Sequence, residues 1–219
     1  MIEKTTLQFL TKLKKNNNKV WFDKNRSSYD AAKENIETYI EDVLGKMAKF
    51  EPGVSSLIAR KCMFRINRDI RFSNDKSPYK TNFGASINPG GKMSGSPGYY
   101  IHLEPGHSFL AGGIYMPEPT ILAAVRQEID YDLDGFNAIL GNKKFKKTFG
   151  GLSAEGSLVR PPKGYEESNP AIVHLKNKHF IVVQNLPDSV VLSKNLLKTT
   201  ISTFETMAPF INFLKRAKG

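Results

Sequence analysis

Two stretches of alternating apolar and polar residues, 62–72 and 79–87, constrain the fold of this chain more than any other feature. Side chains of a strand point alternately to its two faces, so this alternation predicts half-buried β-strands. The turn-forming residues 73–78 separate the stretches and predict an antiparallel pair that brings Lys80 towards Arg71. One face of the first stretch carries Cys62, Phe64, Ile66, Ile70 and Phe72, and the other carries Arg65, Asn67, Asp69 and Arg71. Arg68 is the exception, because its parity places it on the apolar face.

Helices are predicted before and after this centre, because apolar residues there recur every three or four positions. The first predicted helix begins at Thr5, which forms a capping box with Gln8, and the second covers about 28–50. Residues 88–98, with four glycines and two prolines, form a loop. The remaining predicted elements are two strands at 99–104 and 108–115, a helix opening at 117–119, two helical pieces in 132–149, a helical turn at 171–175, a strand at 179–183, and a C-terminal helix beginning near Asp188 and bent or restarted at Pro209.

These elements predict an α+β fold with a central antiparallel sheet of about four to six strands. We expect the N-terminal and C-terminal helices to pack mainly on one face of that sheet. A length of 219 residues with 40% hydrophobic and 24% charged residues suits a single domain over 1–219. Its predicted parts are helical at 1–58, β-rich at 60–116, and helical with a short strand at 117–219.

Cysteine usage and hydropathy indicate the compartment. The chain has one cysteine, Cys62, so no internal disulfide is possible, which is typical of a reducing compartment. It has no apolar run of about 18 residues, and its N-terminus lacks the apolar core of a secretory signal. We therefore expect a cytoplasmic protein without a membrane partner.

The charge balance points to anionic partners. Lys and Arg total 32 against 21 Asp and Glu, a formal net charge of +11. Such an excess favours nucleic acid, phosphorylated small molecules or acidic surfaces, although it also aids solubility. No protein partner can be inferred from these numbers.

The segment Arg65–Lys80 is more charged than a surface strand requires. The guanidinium group binds phosphate or carboxylate through two parallel hydrogen bonds, so the segment is a candidate ligand site. Asp69 is placed to hold one guanidinium while the other meets a ligand, and an inward-pointing Arg68 would need a partner such as Asp75. Three explanations remain open: an Arg/Asp network that only holds loops, an anion site, and a catalytic centre. The candidate ligand-binding residues are Arg65, Arg68, Arg71, Lys76 and Lys80.

Acid–base chemistry has four weak candidates, Asp69, Asp75, His102 and Glu104. His102 and Glu104 share a strand face with Tyr100, but two ligands do not make a metal site, so no metal is predicted. The chain has no dinucleotide fingerprint, nucleophile elbow or zinc spacing, and the glycines of 90–95 do not fit a phosphate loop, so no cofactor is predicted. Residues 88–98 remain a candidate flap over the Arg65–Lys80 face. The basic run 143–147 is either a solvated helix face or a nucleic-acid contact.

The chain resembles an uncharacterised family of bacteria and fungi that is described only as a domain of unknown function. The resemblance covers nearly the whole chain and is most specific in the string R-x-x-R-D-x-R-F-S-x-D-K-x-P-Y-K, at 65–80. Other matching pieces are Phe9-Leu10, Asn17, Trp21-Phe22, Asn25-Arg26, Tyr29, Tyr99-Tyr100, Glu104-Pro105-Gly106, Gly112-Gly113, Pro117, Leu122, Arg126, Pro162–Tyr165 and Pro209–Leu214. The resemblance implies a self-contained domain and carries no activity, cofactor or catalytic residue.

The sequence therefore leaves the function open. We expect an anion-binding domain that uses the Arg65–Lys80 segment to hold nucleic acid, a nucleotide or another phosphorylated ligand. One alternative is an enzyme acting on a phosphorylated or carboxylated substrate. The other is a protein-interaction or scaffold domain in which the Arg/Asp network is purely structural.

Overall fold

The computed structural model describes residues 1–153 and 156–217, so residues 154–155 and 218–219 of the predicted C-terminal part lie outside the described residues. The fold is α+β, as the sequence predicts, with a four-stranded antiparallel sheet. The strands are β1 (Phe83–Ile87), β2 (Gly98–Leu103), β3 (Ser108–Ile114) and β4 (Phe180–Leu186). The helices are α1 (Lys4–Lys15), α2 (Lys19–Lys24), α3 (Arg26–Met47), α4 (Ala59–Cys62), α5 (Pro119–Tyr131), α6 (Leu133–Gly141), α7 (Lys143–Phe149), α8 (Ile172–Leu175), α9 (Asp188–Val191) and α10 (Leu196–Arg216). No described helix is both long enough and apolar enough to cross a membrane.

The strands follow the order β1-β2-β3-β4 across the sheet. The first three form consecutive hairpins, with Phe83 opposite Leu103 and His102 opposite Phe109. The last strand returns after four helices and pairs with β3, so that Phe109 lies opposite Asn185. The predicted strands at 99–104, 108–115 and 179–183 are confirmed. Their observed ends differ from the predicted ones by at most one or two residues, except that β4 continues to Leu186.

The predicted strand at 62–72 is wrong. Cys62 ends α4, and the chain beyond it meets 79–87 through only two isolated bridges, Met63 with Ala85 and Asn67 with Tyr79. Three residues, 64–66, lie between the bridged positions of the first segment, but five, 80–84, lie between those of the second. The ladder is therefore interrupted by a bulge, and β1 begins only at Phe83. The two segments still run antiparallel, because the Phe64 and Lys80 N–H groups donate to the carbonyls of Gly84 and Ile66.

One face of the sheet packs against the long C-terminal helix. The rings of Tyr99 on β2 and Phe204 on α10 lie 5.0 Å apart. A Cβ atom at Gly112 would lie 2.6 Å from the Met207 sulfur, so glycine allows α10 to approach β3 closely. One turn before Phe204, the Thr200 and Tyr39 hydroxyls share a buried hydrogen bond of 2.6 Å, which joins α10 to α3.

Two predictions about helix starts are wrong, and so is the restart that was one of two alternatives at Pro209. The first helix begins at Lys4 with Glu3 as N-cap, and Glu3 makes no side-chain capping bond, so the capping box does not form. The C-terminal region forms two helices, and Asp188 accepts a hydrogen bond from the Gly106 N–H instead of capping α10. α10 continues through Pro209 without restarting. The carbonyl that loses its partner to proline belongs to Glu205, an exposed residue, so water can satisfy it.

Candidate functional site

The loop 69–78 is held mainly by bonds among its own residues. The Arg68 guanidinium pairs with the Asp75 carboxylate and donates to the Ser77 carbonyl at 3.1 Å and the Ser73 hydroxyl at 3.3 Å. Hydrogen bonds from Ser77, and then the one from Arg68, lower the pKa of Asp75 to about 2. The prediction that Asp75 neutralises an inward Arg68 is confirmed, and the bonds of Arg68 brace the loop.

Two further predicted ligand residues also have partners in this loop. The Arg71 Nε and Nη2 atoms donate to the two oxygens of Asp69 at 3.0 and 2.7 Å, which is the predicted acid-oriented arginine. The hydrogen bond from Arg71 lowers the pKa of Asp69. Lys76 donates to the Ile70 carbonyl at 3.1 Å. At the tip of the loop, Phe72 is 95% exposed.

The other two predicted ligand residues, Arg65 and Lys80, belong to a different group of cations. The Lys80 and Lys92 ammonium nitrogens lie 5.4 and 5.7 Å from the centroid of the half-buried Phe64 ring. Burial first, and then the charges of Arg65 and Lys92, lower the pKa of Lys80. In the part of the chain that the structure describes, no ion pair includes any of these three cations. We call Phe64, Arg65, Lys80 and Lys92 the Phe64 cluster.

Lys92 is the member of this cluster that sequence reasoning missed. It lies in the glycine-rich loop 88–98, and its ammonium group donates to the Met63 carbonyl at 2.7 Å. The Asn88 side chain closes the loop by donating to the Ser96 carbonyl at 2.7 Å and accepting from the Gly90 N–H at 3.0 Å. The loop therefore places a cation beside the Arg65–Lys80 segment, although no local sequence motif predicts this position for Lys92.

Residues from the first helices position Lys80. Asn17 makes two hydrogen bonds to the backbone of Tyr79, donating to its carbonyl at 2.9 Å and accepting from its N–H at 3.1 Å. The Phe22 ring stacks on the Tyr79 ring at 4.0 Å and 14°. Because Tyr79 precedes Lys80, these contacts fix the backbone from which the Lys80 side chain projects.

The sheet face that carries Tyr100, His102 and Phe109 continues from the Phe64 cluster. The centroid distances are 6.3 Å from Phe64 to Tyr100, 5.9 Å from Tyr100 to Phe109, and 4.5 Å from His102 to Phe109. Tyr100 and His102 on β2 and Phe109 on β3 have intermediate exposure, whereas Tyr99, Ile101 and Leu103, which alternate with them along β2, are buried. We call Tyr100, His102 and Phe109 the aromatic strip.

His102 and Glu104 form the pair that the sequence predicts. The His102 Nε2 atom lies 3.3 Å from a Glu104 carboxylate oxygen, and its Nδ1 atom lies 3.2 Å from the Tyr100 hydroxyl and 3.4 Å from the Asn82 amide nitrogen. A neutral imidazole that donates from Nε2 and accepts at Nδ1 satisfies these contacts. Burial lowers the pKa of His102, although Glu104 acts in the opposite direction. Asp69 and Asp75 are bound within the loop 69–78, so the four acid–base candidates do not form one site.

Other candidate features lie apart from this face. Two shallow cavities, of about 420 and 290 Å³, flank Arg216, whose guanidinium pairs with Glu128 and Asp132. In the basic run 143–147 the lysines are exposed and only Phe145 is buried. Within residues 1–153 and 156–217, no three His, Cys, Asp or Glu side chains are grouped so as to hold a metal ion.

Together these elements define an α+β domain whose antiparallel sheet carries a cation cluster beside an aromatic strip. The chain belongs to the family described as conserved hypothetical protein (DUF2461), whose model matches residues 5–213. This confirms the resemblance to a family of unknown function. No curated protein and no solved structure matches the chain.

Proposed function

We propose that this domain binds an anionic, phosphate-bearing ligand at the Phe64 cluster. The observation that carries the proposal is the position of two ammonium groups, Lys80 and Lys92, over one half-buried aromatic ring. Burial, and then the charges of Arg65 and Lys92, lower the pKa of Lys80, and no ion pair within the described residues includes any of the three cations. Like charges held together in a partly desolvated site destabilise one another, and a bound anion offsets that repulsion. The formal net charge of +11 also favours the approach of anions.

The proposal assigns different roles to the five predicted ligand residues. Arg65 and Lys80 contact the ligand, together with Lys92. Arg68 and Lys76 hold the loop 69–78 in shape, since their donors already have acceptors in that loop. Arg71 is paired with Asp69 but its side chain is 76% exposed, so it can reach a ligand at the margin of the site.

We also propose that the helices pack mainly on the sheet face of Tyr99, which leaves the face of the aromatic strip open to a ligand. The contacts of Tyr99 with Phe204 and of Gly112 with Met207 support this arrangement, as does the alternating burial of β2. A reducing, cytoplasmic location fits the one cysteine of the sequence, since Cys62 is buried and unpaired with another thiol.

Thermal unfolding with pyrophosphate as the probe tests the proposed anion site. A ligand at about 100 times its Kd stabilises a protein by about 2.7 kcal/mol, which raises the Tm by roughly 5–10 °C for a chain of this size. Lys80→Gln and Lys92→Gln should remove most of this rise, whereas Lys163→Gln, at an exposed position outside the cluster, should keep it. An equal rise in Lys80→Gln and the parent protein would contradict the proposal.

The pH dependence of binding provides a second test. An anion favours the charged ammonium, so pyrophosphate should raise the pKa of Lys80 from its lowered value towards that of an ordinary lysine, about 10.4. By linkage, the affinity should fall as the pH rises through the lowered pKa of Lys80 in the free protein. NMR titration of the Lys80 Cε signal with and without pyrophosphate measures both values. Identical titration curves would contradict contact between the anion and Lys80.

The His102–Glu104 pair favours a second candidate function, acid–base catalysis on a phosphorylated or carboxylated substrate. The imidazole is neutral and hydrogen-bonded to a carboxylate, on the same sheet face that leads to the cation cluster. A neutral imidazole oriented by a carboxylate is a competent general base when substrate displaces one of its partners. Turnover of a phosphate ester that Glu104→Gln abolishes while pyrophosphate binding persists would favour the enzyme over the binding domain.

A further inference from the structure

We infer that the ligand is a single-stranded nucleic acid, whose bases stack on the aromatic strip while the Phe64 cluster holds its phosphates. This inference rests on the proposed anion site and names the class of ligand. It requires two features side by side: partly exposed aromatic rings on a sheet face, and cations next to those rings. Both features are present on the same sheet face.

The rings form a row that runs across the strands. Phe64 lies beside β1 through its hydrogen bond to Gly84, Tyr100 lies on β2 and Phe109 lies on β3, with neighbouring centroids 6.3 and 5.9 Å apart. With these two steps the row spans at most about 12 Å, which is enough for two or three bases. The His102 ring stacks on the Phe109 ring at 4.5 Å and 9°, so each of these two rings covers one face of the other.

Gly84 creates space for the central ring of the row. A Cβ atom at this position would lie 2.5 Å from the Tyr100 hydroxyl and 3.2 Å from two other ring atoms. The Tyr100 ring therefore lies over β1, next to Phe64. Any other residue at position 84 would push the ring out of the row.

The charges are arranged asymmetrically along this row. Lys80 and Lys92 lie over the Phe64 ring and the charge of Arg65 acts on Lys80, so cations gather at the Phe64 end, where the phosphates would lie. Beside His102 lies the Glu104 carboxylate, which also forms an ion pair of 3.9 Å with Lys14. A free phosphate or an acidic peptide would use the cations and gain nothing from a row of rings. A nucleic acid uses both the rings and the cations, because every base has a face that can stack and every phosphodiester linkage carries a negative charge. In a duplex the base faces are already stacked, so only a single strand can reach the rings.

Fluorescence anisotropy with labelled twelve-nucleotide oligo(dT) and oligo(U) tests this inference. The parent protein should bind the single strands more tightly than a duplex of the same length. Phe109→Leu and Tyr100→Leu keep apolar volume but lose the ring, and each should weaken single-strand binding by about tenfold. Neither should change the affinity for pyrophosphate. Tyr131→Leu, which removes an exposed ring far from the strip in sequence, is the matched control and should bind like the parent.

The variants separate failure of the inference from failure of the anion site. If Lys80→Gln weakens binding of every anion while the two leucine variants bind oligonucleotide normally, the anion site stands and base stacking is overturned. If neither pyrophosphate nor oligonucleotide binds the parent protein, both proposals fail. Crosslinking of the parent protein to a bromouracil oligonucleotide needs no variant. Crosslinks at Phe64, Tyr100 or Phe109 support the inference, and crosslinks confined to other residues overturn it.

Discussion

The three arginines between positions 65 and 71 occupy different environments, although they are alike in the sequence. Arg68 is half-buried and has three acceptors from the loop 69–78. Arg71 is exposed and paired with Asp69, and Arg65 is exposed and adds its charge to the Phe64 cluster. A buried guanidinium needs partners to offset its desolvation, whereas an exposed pair adds little to stability. The sequence identified the segment and the Arg68–Asp75 pair, but it could not tell which arginines remain available for a ligand.

The pKa of His102 reports the local balance of burial and charge. Burial lowers it, and the hydrogen bond and charge of Glu104 raise it. Glu104→Gln removes both raising effects, so the pKa of His102 should fall further below its ordinary value of about 6.5. NMR titration of the His102 ring proton in the parent protein and in Glu104→Gln measures the change. An unchanged or raised His102 pKa would contradict the assigned contact.

The sign of the pH effect on stability follows from the same shift. The unfolded chain binds a proton at position 102 more readily than the folded protein does. The contribution of His102 to stability is therefore greatest above about pH 6.5 and is lost as the pH falls from there through the folded pKa. Because Glu104→Gln should lower the folded-state pKa of His102 further, the loss of stability in this variant should continue to a lower pH than in the parent protein.

At the scale of elements, the sequence patterns predicted the long helices and all four strands, with β1 covering only the second half of the predicted strand at 79–87. They missed the short helices α2 and α4 and misassigned 62–72 as a strand. Alternation reports which side chains can be buried on one face, and Cys62 and Ile66 are buried as it predicts. It does not report whether the backbone pairs continuously. Here two isolated bridges with a bulge between them and the side-chain bonds of Arg68 and Asp75 satisfy the backbone in place of a ladder. Such bonds depend on three-dimensional proximity, which periodicity does not encode.

Gly113 is the glycine on which the pairing of β3 with β4 depends most. Its φ is 127°, and a Cβ atom there would lie 1.9 Å from the Phe180 carbonyl oxygen. Gly113→Ala should destabilise the protein by about 2–4 kcal/mol, because both the backbone conformation and the β4 contact become strained. Urea unfolding measures the change in the free energy of unfolding.

Gly45 offers the matched control for that substitution. It lies within α3, and a Cβ atom at this position would have no neighbour within 4 Å. Gly45→Ala should therefore stabilise the protein by about 0.5–1 kcal/mol, since alanine loses less conformational entropy in a helix. A similar response of the two alanine variants would contradict the close approach of β3 and β4 at Gly113.

At the scale of the whole molecule, the candidate site depends on parts of the chain that are far apart in sequence. Asn17, between α1 and α2, and Phe22 on α2 hold Tyr79, and Lys92 from the loop 88–98 completes the cation cluster. In the sequence, Asn17 and Phe22 stood out only as pieces of the family resemblance. Neither residue has a local pattern that reveals contacts with the Arg65–Lys80 segment, because those contacts arise only when the helices pack beside it.

Asn17 therefore links global stability to the anion site. Asn17→Ala leaves the N–H and C=O of the buried Tyr79 without their partner, which should cost about 1–3 kcal/mol in the free energy of unfolding. It should also weaken pyrophosphate binding by the folded protein, because the backbone that orients Lys80 loses its support. Asn16→Ala, which removes only an exposed hydrogen bond to the Lys12 carbonyl, should stay within about 0.5 kcal/mol of the parent and bind normally. Calorimetric titration well below the Tm of both variants separates affinity from unfolding. If Asn17→Ala loses stability but keeps full affinity, then contacts within its own segment position Lys80. In that case the contacts of Asn17 with Tyr79 stabilise the fold without supporting the anion site.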